Sequence, residues 1–557
     1  MNAWKYGALS MIPFVIGIAI VAPFKDVLYG GDDWAYAWSV QKLLESGTLL
    51  ASDWVTAQAV PQVLWASLLG EIFGWSLSIL NISTIVAALF AGFAFFYIVV
   101  ALGFKYKIAL LATVVVTVSP LYLGMAGSFM SDSMYTSLLL ISSACYIRAI
   151  LNRSIIFAIL GGLFCGAAIL NRQFGIVLLI AYALALVCWV VISSTPQRRE
   201  DILKIALPGI VLPIGMFVLA SINPDIVGGK TIAQGVVIDT VESVKRLFDI
   251  PKILIKSLVM YDFLIVLLVP VIIPFLLSAH TEVRSLKENQ WLLVLIGVAL
   301  AGGLLVWYIR TGVMVQGDIF QVNAKYGNNE IWNGRIWMGL LFICIIPGTL
   351  MIARIFRHVL QLFNAASIAN LVKRVDADSS AIAVLLIILC TVGHIVLTAS
   401  HMSFYNNYFL PILPLLAICM LFVLRDAKQS MPLSVGLTLI LFSSSVLDLE
   451  SHARYIEASW KESEILVRSG ESATAIFSSP SWYGWQNSDE VHDFMRRAVD
   501  DEMTSPINVF GHAYSNARIY IVGSTMHPLY AESDPRTVSY STLMGRRELW
   551  VLGEEFE

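Results

Sequence analysis

The residues best suited to chemistry in this chain are acidic and lie where apolar segments meet water. Gly30-Gly31-Asp32-Asp33 brings adjacent carboxylates just before a helical stretch, and Asp132, in Phe129-Met130-Ser131-Asp132-Ser133, opens another. A carboxylate before a helix is ordinarily an N-cap, a reading open for Asp32 and stronger for Asp132. Two neighbouring carboxylates at a membrane edge repel each other and exceed what a cap requires. Groups of this kind can accept a proton or hold a cation. Basic residues recur at helix ends on the same side, namely Arg172, Arg310, Lys325 and Arg335. Each either snorkels its charge to the interface or meets an anion there. His401 can ligate a metal with Asp32 or Asp33, or hydrogen-bond to a substrate; a divalent cation is left open and no metal site is assigned. Asp262, in Tyr261-Asp262-Phe263, is expensive in lipid and must face the bundle interior or water, where it can line a cavity.

Those residues are positioned by a chain of 557 residues that is 58% hydrophobic and 13% charged, with mean hydropathy +0.76. This is a membrane composition. A bilayer core of roughly 30 Å needs about 20 apolar residues per helix. Such windows fall at about 8 to 29, 76 to 102, 107 to 124, 132 to 151, 154 to 171, 173 to 193, 205 to 222, 256 to 279, 290 to 309, 333 to 353, 380 to 400, 408 to 424 and 431 to 448, so the sequence predicts about thirteen transmembrane helices. The net charge of −3 offers nothing to a nucleic acid, and the six cysteines all sit inside apolar spans as small packing residues rather than a disulfide framework. The first stretch leads into Lys25-Asp26-Val27 rather than a small-residue cleavage site and reads as a retained helix. Neither end carries a lipidation signal.

With the N-terminus inside, every short cytoplasmic loop is basic, from Lys105/Lys107 through Arg198/Arg199/Lys204 to Arg425/Lys428. The long loop from Asn223 to Ile255 carries lysines outside and reads as partly a surface helix. The first outer loop, residues 30 to 75, holds two helices too short to span, Trp34 to Ser46 ended by Gly47 and Gln62 to Phe73 after Pro61; together they can roof a cavity in the bundle. The chain thus divides into a transmembrane part, 1 to 448, and an extracytoplasmic tail, 449 to 557. In the tail, Thr474 to Phe477, Ala517 to Val522 and Leu549 to Leu552 read as strands and Asp489 to Val499 as a helix, giving a small α/β domain. Trp38, Trp65, Trp291, Trp307, Trp332 and Trp337 read as interfacial belt residues, some able to stack on sugar. No Walker loop, Rossmann fingerprint or internal repeat is present.

The order of features resembles a known family. Asp32-Asp33-Trp34-Ala35-Tyr36, a helix ending at Gly47, a Pro61 helix ending at Phe73-Gly74, two spans and then Asp132 are similar to the GT-C glycosyltransferases that use a polyprenyl-phosphate carrier, the group of protein O-mannosyltransferases and lipid A aminoarabinose transferases. Gly161-Gly162-Leu163 through Asn171-Arg172 resembles that family's Gly-rich fifth helix with its basic end, and Tyr408-Phe409-Leu410-Pro411 through Pro414 resembles its penultimate-helix signature. The family usually has Asp-Glu followed by Tyr in the first loop, so Asp32 matches the catalytic aspartate, Asp33 stands for Glu, and Tyr36 and Asp132 match the Tyr and the second acidic position. Two departures are evident: Asn407 stands where a basic residue often precedes the Tyr, and Ala59-Val60 replaces a Glu-Lys pair.

The resemblance implies an all-α, GT-C-like polytopic protein of a cell inner membrane, inverting the sugar as it moves from a polyprenyl-phosphate-linked donor to an extracytoplasmic lipid, glycan or protein acceptor. The implied catalytic set is Asp32, as base, with Asp33 and Asp132; Tyr36, Arg172 and Tyr408 are candidate substrate-binding residues that match the family's pattern, and Asp262, Arg310, Lys325 and His401 are further candidates by their position and chemistry alone. A lipid-linked polymerase or ligase shares this carrier and topology. A secondary transporter or flippase, using Asp32, Asp132 and Asp262 as relays, is the reading from another class; it calls for symmetric halves and broken helices, which the sequence lacks. A reporter enzyme that works only outside the cytoplasm is expected to be active when fused after Leu552 and silent when fused after Arg198. The reverse pattern would invert the topology.

Overall fold

The computed structural model describes residues 2–52, 54, 57–193, 196–222, 249–276, 379–401, 405–425, 430–493, 517–523 and 536–553, with short runs between 313 and 344. The helices are α1 (Ala3–Val21), α2 (Asp33–Ser46), α3 (Val60–Phe73), α4 (Leu77–Ala101), α5 (Tyr106–Thr117), α6 (Pro120–Ala126), α7 (Ser131–Asn152), α8 (Ile155–Asn171), α9 (Ile176–Ile192), α10 (Pro196–Ile222), α11 (Ile250–Leu267), α12 (Val269–Leu276), α13 (Ser380–Ser400), α14 (Ile412–Val423), α15 (Met431–Arg468) and α16 (Pro480–Gln486). The strands are β1 (Val313–Val315), β2 (Val322–Asn323), β3 (Ile476–Phe477), β4 (Ile519–Gly523), β5 (Arg536–Thr542) and β6 (Gly545–Gly553).

Among the described residues eight helices are long and apolar enough to cross a membrane, nine if α5 and α6 form one bent span. Helix α1 turns Gly7, Met11, Phe14, Ile18 and Val21 inward at helical spacing and leaves Leu9, Ile12, Val15 and Ile16 exposed. An outer face as apolar as the inner one is what lipid as solvent allows and water does not. The chain is an integral membrane protein.

The predicted spans up to 279 and from 380 onward all coincide with helices, while those at 290 to 309 and 333 to 353 fall mostly outside the described residues. Several boundaries differ. The first helix starts at Ala3 and ends at Val21 rather than 29, because Ala22 enters the left-handed region (φ 49°) and Pro23 follows. The span at 107 to 124 is bent by 66° between α5 and α6. Pro120 bars the helical conformation from Ser119 (ψ 145°), whose hydroxyl then caps α6 by accepting from the Tyr122 N–H. The span at 205 to 222 begins at Pro196, and that at 256 to 279 begins at Ile250 and breaks at Leu268. The helix predicted to stop at 448 continues to Arg468 and is 38 residues long in all. No Gly or Pro interrupts residues 449 to 468, so the polar turn at Glu450 marks a change of surroundings and not a helix end.

The short helices expected within residues 30 to 75 are present as α2 and α3, ended by Gly47 (φ 69°) and Gly74 (φ 92°), both at positive φ that glycine adopts freely. Helix α8 is pressed between α7 and α10. A Cβ at Gly161 would lie 2.5 Å from the Tyr146 ring and one at Gly162 2.9 Å from the Pro208 carbonyl, so these small residues let α8 approach its neighbours closely.

Beyond the membrane part, the strands form a mixed sheet in the order β3-β4-β6-β5, with β3 parallel to β4 and the other pairs antiparallel. The predicted strands at 474 to 477, 517 to 522 and 549 to 552 correspond to β3, β4 and β6, whereas β5 was not foreseen; the helix expected at 489 to 499 lies largely outside the described residues. The sheet leans on the polar half of α15, where Glu450 accepts from the Leu543 N–H at 2.9 Å and Arg536 pairs with Glu462. Helix α16 crosses the first loop: Ser481 donates to the Leu28 carbonyl at 3.2 Å, and the Trp34 indole fills the space where Gly484 has no side chain. Gly484→Val is therefore expected to force these segments apart, destabilising the protein by about 1–3 kcal/mol. Thermal unfolding of the detergent-solubilised variant measures it, and an unchanged melting temperature would contradict the packing.

Candidate functional site

Asp32 occupies the N-cap position of α2 yet caps nothing: its carboxylate makes no hydrogen bond to the helix N–H groups. Instead Oδ1 accepts from the Trp54 indole Nε1 at 2.8 Å. Its other oxygen has no hydrogen-bond partner among the described residues, and the side chain is half-buried. Burial lifts the Asp32 carboxyl above the usual carboxylate range; the Trp54 donor and the charge of Arg172 pull it back, and Asp132 pushes it further up.

Asp33 is fully buried and faces the backbone. Its Oδ2 accepts from the Gly30 N–H at 2.8 Å and the Phe129 N–H at 3.0 Å, while Oδ1 has no partner among the described residues. Burial raises its carboxyl to about 7 against those donors. The contact ties the first loop to the turn before α7. It also explains Gly30, where a Cβ would sit 2.5 Å from Asp33 Oδ1 and 2.8 Å from Met130 Cγ.

The N-cap of α7 is Met130, not Asp132. The Asp132 carboxylate, 2% exposed, pairs with the Arg172 guanidinium and accepts from Asn407 Nδ2 at 3.2 Å. Arg172 is the C-cap of α8, held in extended conformation between that helix and the single turn Gln173–Gly175. Gly175 permits the turn, because a Cβ there would strike the α8 backbone at Ile169 N, 2.6 Å away. The guanidinium lies 4.8 Å above the Tyr408 ring and 5.9 Å from that of Phe174. Tyr36 shares a 3.0 Å hydrogen bond with Ser131, whose carbonyl accepts from Asn171 Nδ2 at 2.9 Å. Burial pushes the Tyr36 phenol up, so it stays protonated.

Asp32, Tyr36, Asp132, Arg172 and Tyr408 therefore form one electrostatically connected group. His401 borders it through ring contacts with Tyr408 at 5.2 Å and Phe174 at 5.8 Å. Asp262 is half-buried on α11 and has no hydrogen bond or ion pair among the described residues. Arg310, Lys325 and Arg335 lie outside the described residues. No group of three or more His, Cys, Asp or Glu side chains suited to a metal ion occurs among those described.

Trp54, Asn407 and Lys256 also belong to the site, and none was singled out as a site residue from the sequence. The departure noted at Asn407 falls on the Asp132 carboxylate itself, where a neutral amide donates in place of a cation. Lys256 donates to the His401 carbonyl at 2.6 Å. It is another basic residue at the outer end of a predicted span, so the rule that selected Arg172 applied to it as well. For Trp54 no local signal existed.

No protein-family model matches the sequence, and no curated protein matches it. Among solved structures the chain is similar to ArnT from Cupriavidus metallidurans bound to undecaprenyl phosphate, at 12% identity over 97% of this chain and 98% of that one, with a TM-score of 0.46. The same protein in the apo state gives 11% identity, coverage of 97% and 98%, and a TM-score of 0.45. The arabinosyltransferase EmbB from Mycobacterium smegmatis gives 11%, over 87% of this chain and 42% of that one, at 0.32.

The buried pair makes its own demand. Arg172→Met leaves Asp132, 2% exposed, without its cation, and is expected to destabilise the protein by about 3–5 kcal/mol, whereas pairing it with Asp132→Asn recovers much of the loss. Unfolding of the two variants in detergent distinguishes them; equal losses would mean that the ion pair is not a unit.

Proposed function

We propose that this protein is a membrane glycosyltransferase that moves a sugar from a polyprenyl-phosphate carrier to an extracytoplasmic acceptor, with inversion and with Asp32 as general base. The observation that carries the reading is the meeting of a half-buried carboxylate, held on one oxygen only, with a guanidinium at the same mouth of the helix bundle. The acceptor and the developing phosphate ask for those two charges, and the motif order of the sequence supplies the reaction class.

In this reaction the acceptor hydroxyl oxygen bonds to the anomeric carbon while the bond from that carbon to the carrier phosphate oxygen breaks. The electron pair leaves with the polyprenyl phosphate, and the hydroxyl proton passes to the free oxygen of Asp32. A raised carboxyl pKa makes Asp32 a stronger base than an ordinary aspartate. Arg172 presents one nitrogen to Asp132, and its remaining N–H groups, which make no hydrogen bond among the described residues, would meet the phosphate. Asp132 and Tyr408 orient the guanidinium, while Tyr36 and Ser131 line the approach to it. The charge pattern of the loops supports an N-terminus inside and the sheet outside, on the side where the carrier presents its sugar. The tail from 449 onward is then a domain that helps select the acceptor.

Asp32→Asn is expected to lower kcat for transfer from a polyprenyl-phosphate sugar by roughly a hundred- to ten-thousandfold, and undiminished transfer would sink the assignment. Because burial raises this carboxyl, it must lose its proton at a pH above the ordinary aspartate range. The acidic limb of kcat/KM therefore lies above that range, with activity gained as pH rises through it. In cells lacking the protein the carrier-linked sugar should accumulate, which lipid analysis reads directly.

A further inference from the structure

The Trp54 indole reaches Asp32 from a loop segment whose anchor lies more than four hundred residues away in sequence. Ser52 Oγ hydrogen-bonds to His492 Nε2 at 2.7 Å, and His492 Nδ1 to the Ser488 carbonyl at 2.6 Å. A carbonyl only accepts, so Nδ1 carries the ring proton and Nε2 is the acceptor for the Ser52 hydroxyl. The Ser52 oxygen then accepts from the Trp54 backbone N–H at 3.2 Å. The Ser52 N–H donates to Ser39 Oγ at 3.2 Å, and Ser39 in turn donates to the Ala35 carbonyl on α2 at 3.0 Å. Trp54 is thus held by its backbone to Ser52 and by its indole to Asp32.

The same histidine is wedged among aromatic rings, 4.3 Å from that of Trp38 and 5.5 Å from that of Trp34, and Trp34 packs 5.7 Å from Trp54. His492, Ser52, Trp34 and Trp54 are all buried, so their geometry is not shared with bulk water. A buried hydrogen-bond chain of this kind fixes the orientation of its last member.

We propose that His492, in the segment that follows α16, is a positioning residue for Asp32, acting through Ser52 and Trp54 to hold the carboxylate with one oxygen engaged and the other free. The proposal rests on the reading of Asp32 as the base. Its consequence is that the C-terminal part of the chain completes the catalytic loop, in addition to any part in acceptor choice.

The pH dependence of kcat/KM tests it in the full-length protein in detergent, with a polyprenyl-phosphate sugar as donor. Losing the indole donor removes a hydrogen bond that favours ionised Asp32, so Trp54→Phe should move the acidic limb to higher pH by about half a unit to one unit. His492→Ala and Ser52→Ala should move it the same way and lower kcat by roughly three- to tenfold with KM for the donor retained. His492→Gln, whose carbonyl can still accept from Ser52, should return the limb toward the wild-type position. In a Trp54→Phe background His492→Ala should add no further shift. A merely structural role would scale the profile down without moving it, and that result, or additive shifts in the double variant, overturns the proposal while leaving the base assignment intact. A wild-type protein without transfer, or an Asp32→Asn variant that transfers undiminished, overturns both.

Discussion

A charge buried at the edge of a bilayer has to be answered inside the protein, and the pairing of Asp132 with Arg172 is the answer around which this site is built. The pair joins the first turn of α7 to the C-cap residue of α8. It can form only because the small residues of α8 let that helix press against Tyr146 and Pro208, and because Gly175 lets the chain fold back beyond Arg172. The neutral donor Asn407 takes the second Asp132 oxygen, and the Tyr408 ring supports the guanidinium from below. Desolvation penalises both ions, so the arrangement holds through geometry and added hydrogen bonds rather than through attraction alone.

The loop that follows α1 obeys the same rule. Its two aspartates are neighbours in sequence but live in different surroundings. Asp33 turns inward and satisfies the N–H groups of Gly30 and Phe129, tying the loop to α7. Asp32 turns toward Trp54 and has its other oxygen free among the described residues. Environment, not residue type, separates a structural carboxylate from one suited to proton transfer. The polar half of α15 completes the enclosure: Glu457 accepts from the Tyr29 hydroxyl at 3.0 Å while also holding Arg454, so the last long helix grips the first loop.

Much of this was legible in the linear chain. Apolar windows of bilayer length marked the helices, since lipid tolerates hardly any other pattern, and Gly47 and Pro61 marked the surface helices because each has a local backbone consequence. The ends were less legible. A change from apolar to polar composition at Glu450 resembled a terminus, but propensity carried the helix on to Arg468. The bend at Pro120 was available in principle, since proline restricts the residue before it, yet the hydropathy window averaged across it. Strand β5 escaped because its inward face offers only Val538 and Tyr540 between Arg536 and Thr542, half-buried at most, which is too short an apolar alternation to mark a strand.

The sequence by itself determined a membrane protein and which carboxylates and cations were candidates, because hydropathy, charge and helix-breaking residues act locally. The tertiary structure decided which of them meet. It made Asp132 the partner of Arg172 across forty residues, gave Asn407 to Asp132 across 275, and brought His492 to Ser52 across 440. Contacts at such separations depend on how helices pack and where loops return, and no window of the sequence contains both partners. That is why Trp54, with no distinguishing neighbours in sequence, became the one residue seen to hold the Asp32 carboxylate among those described.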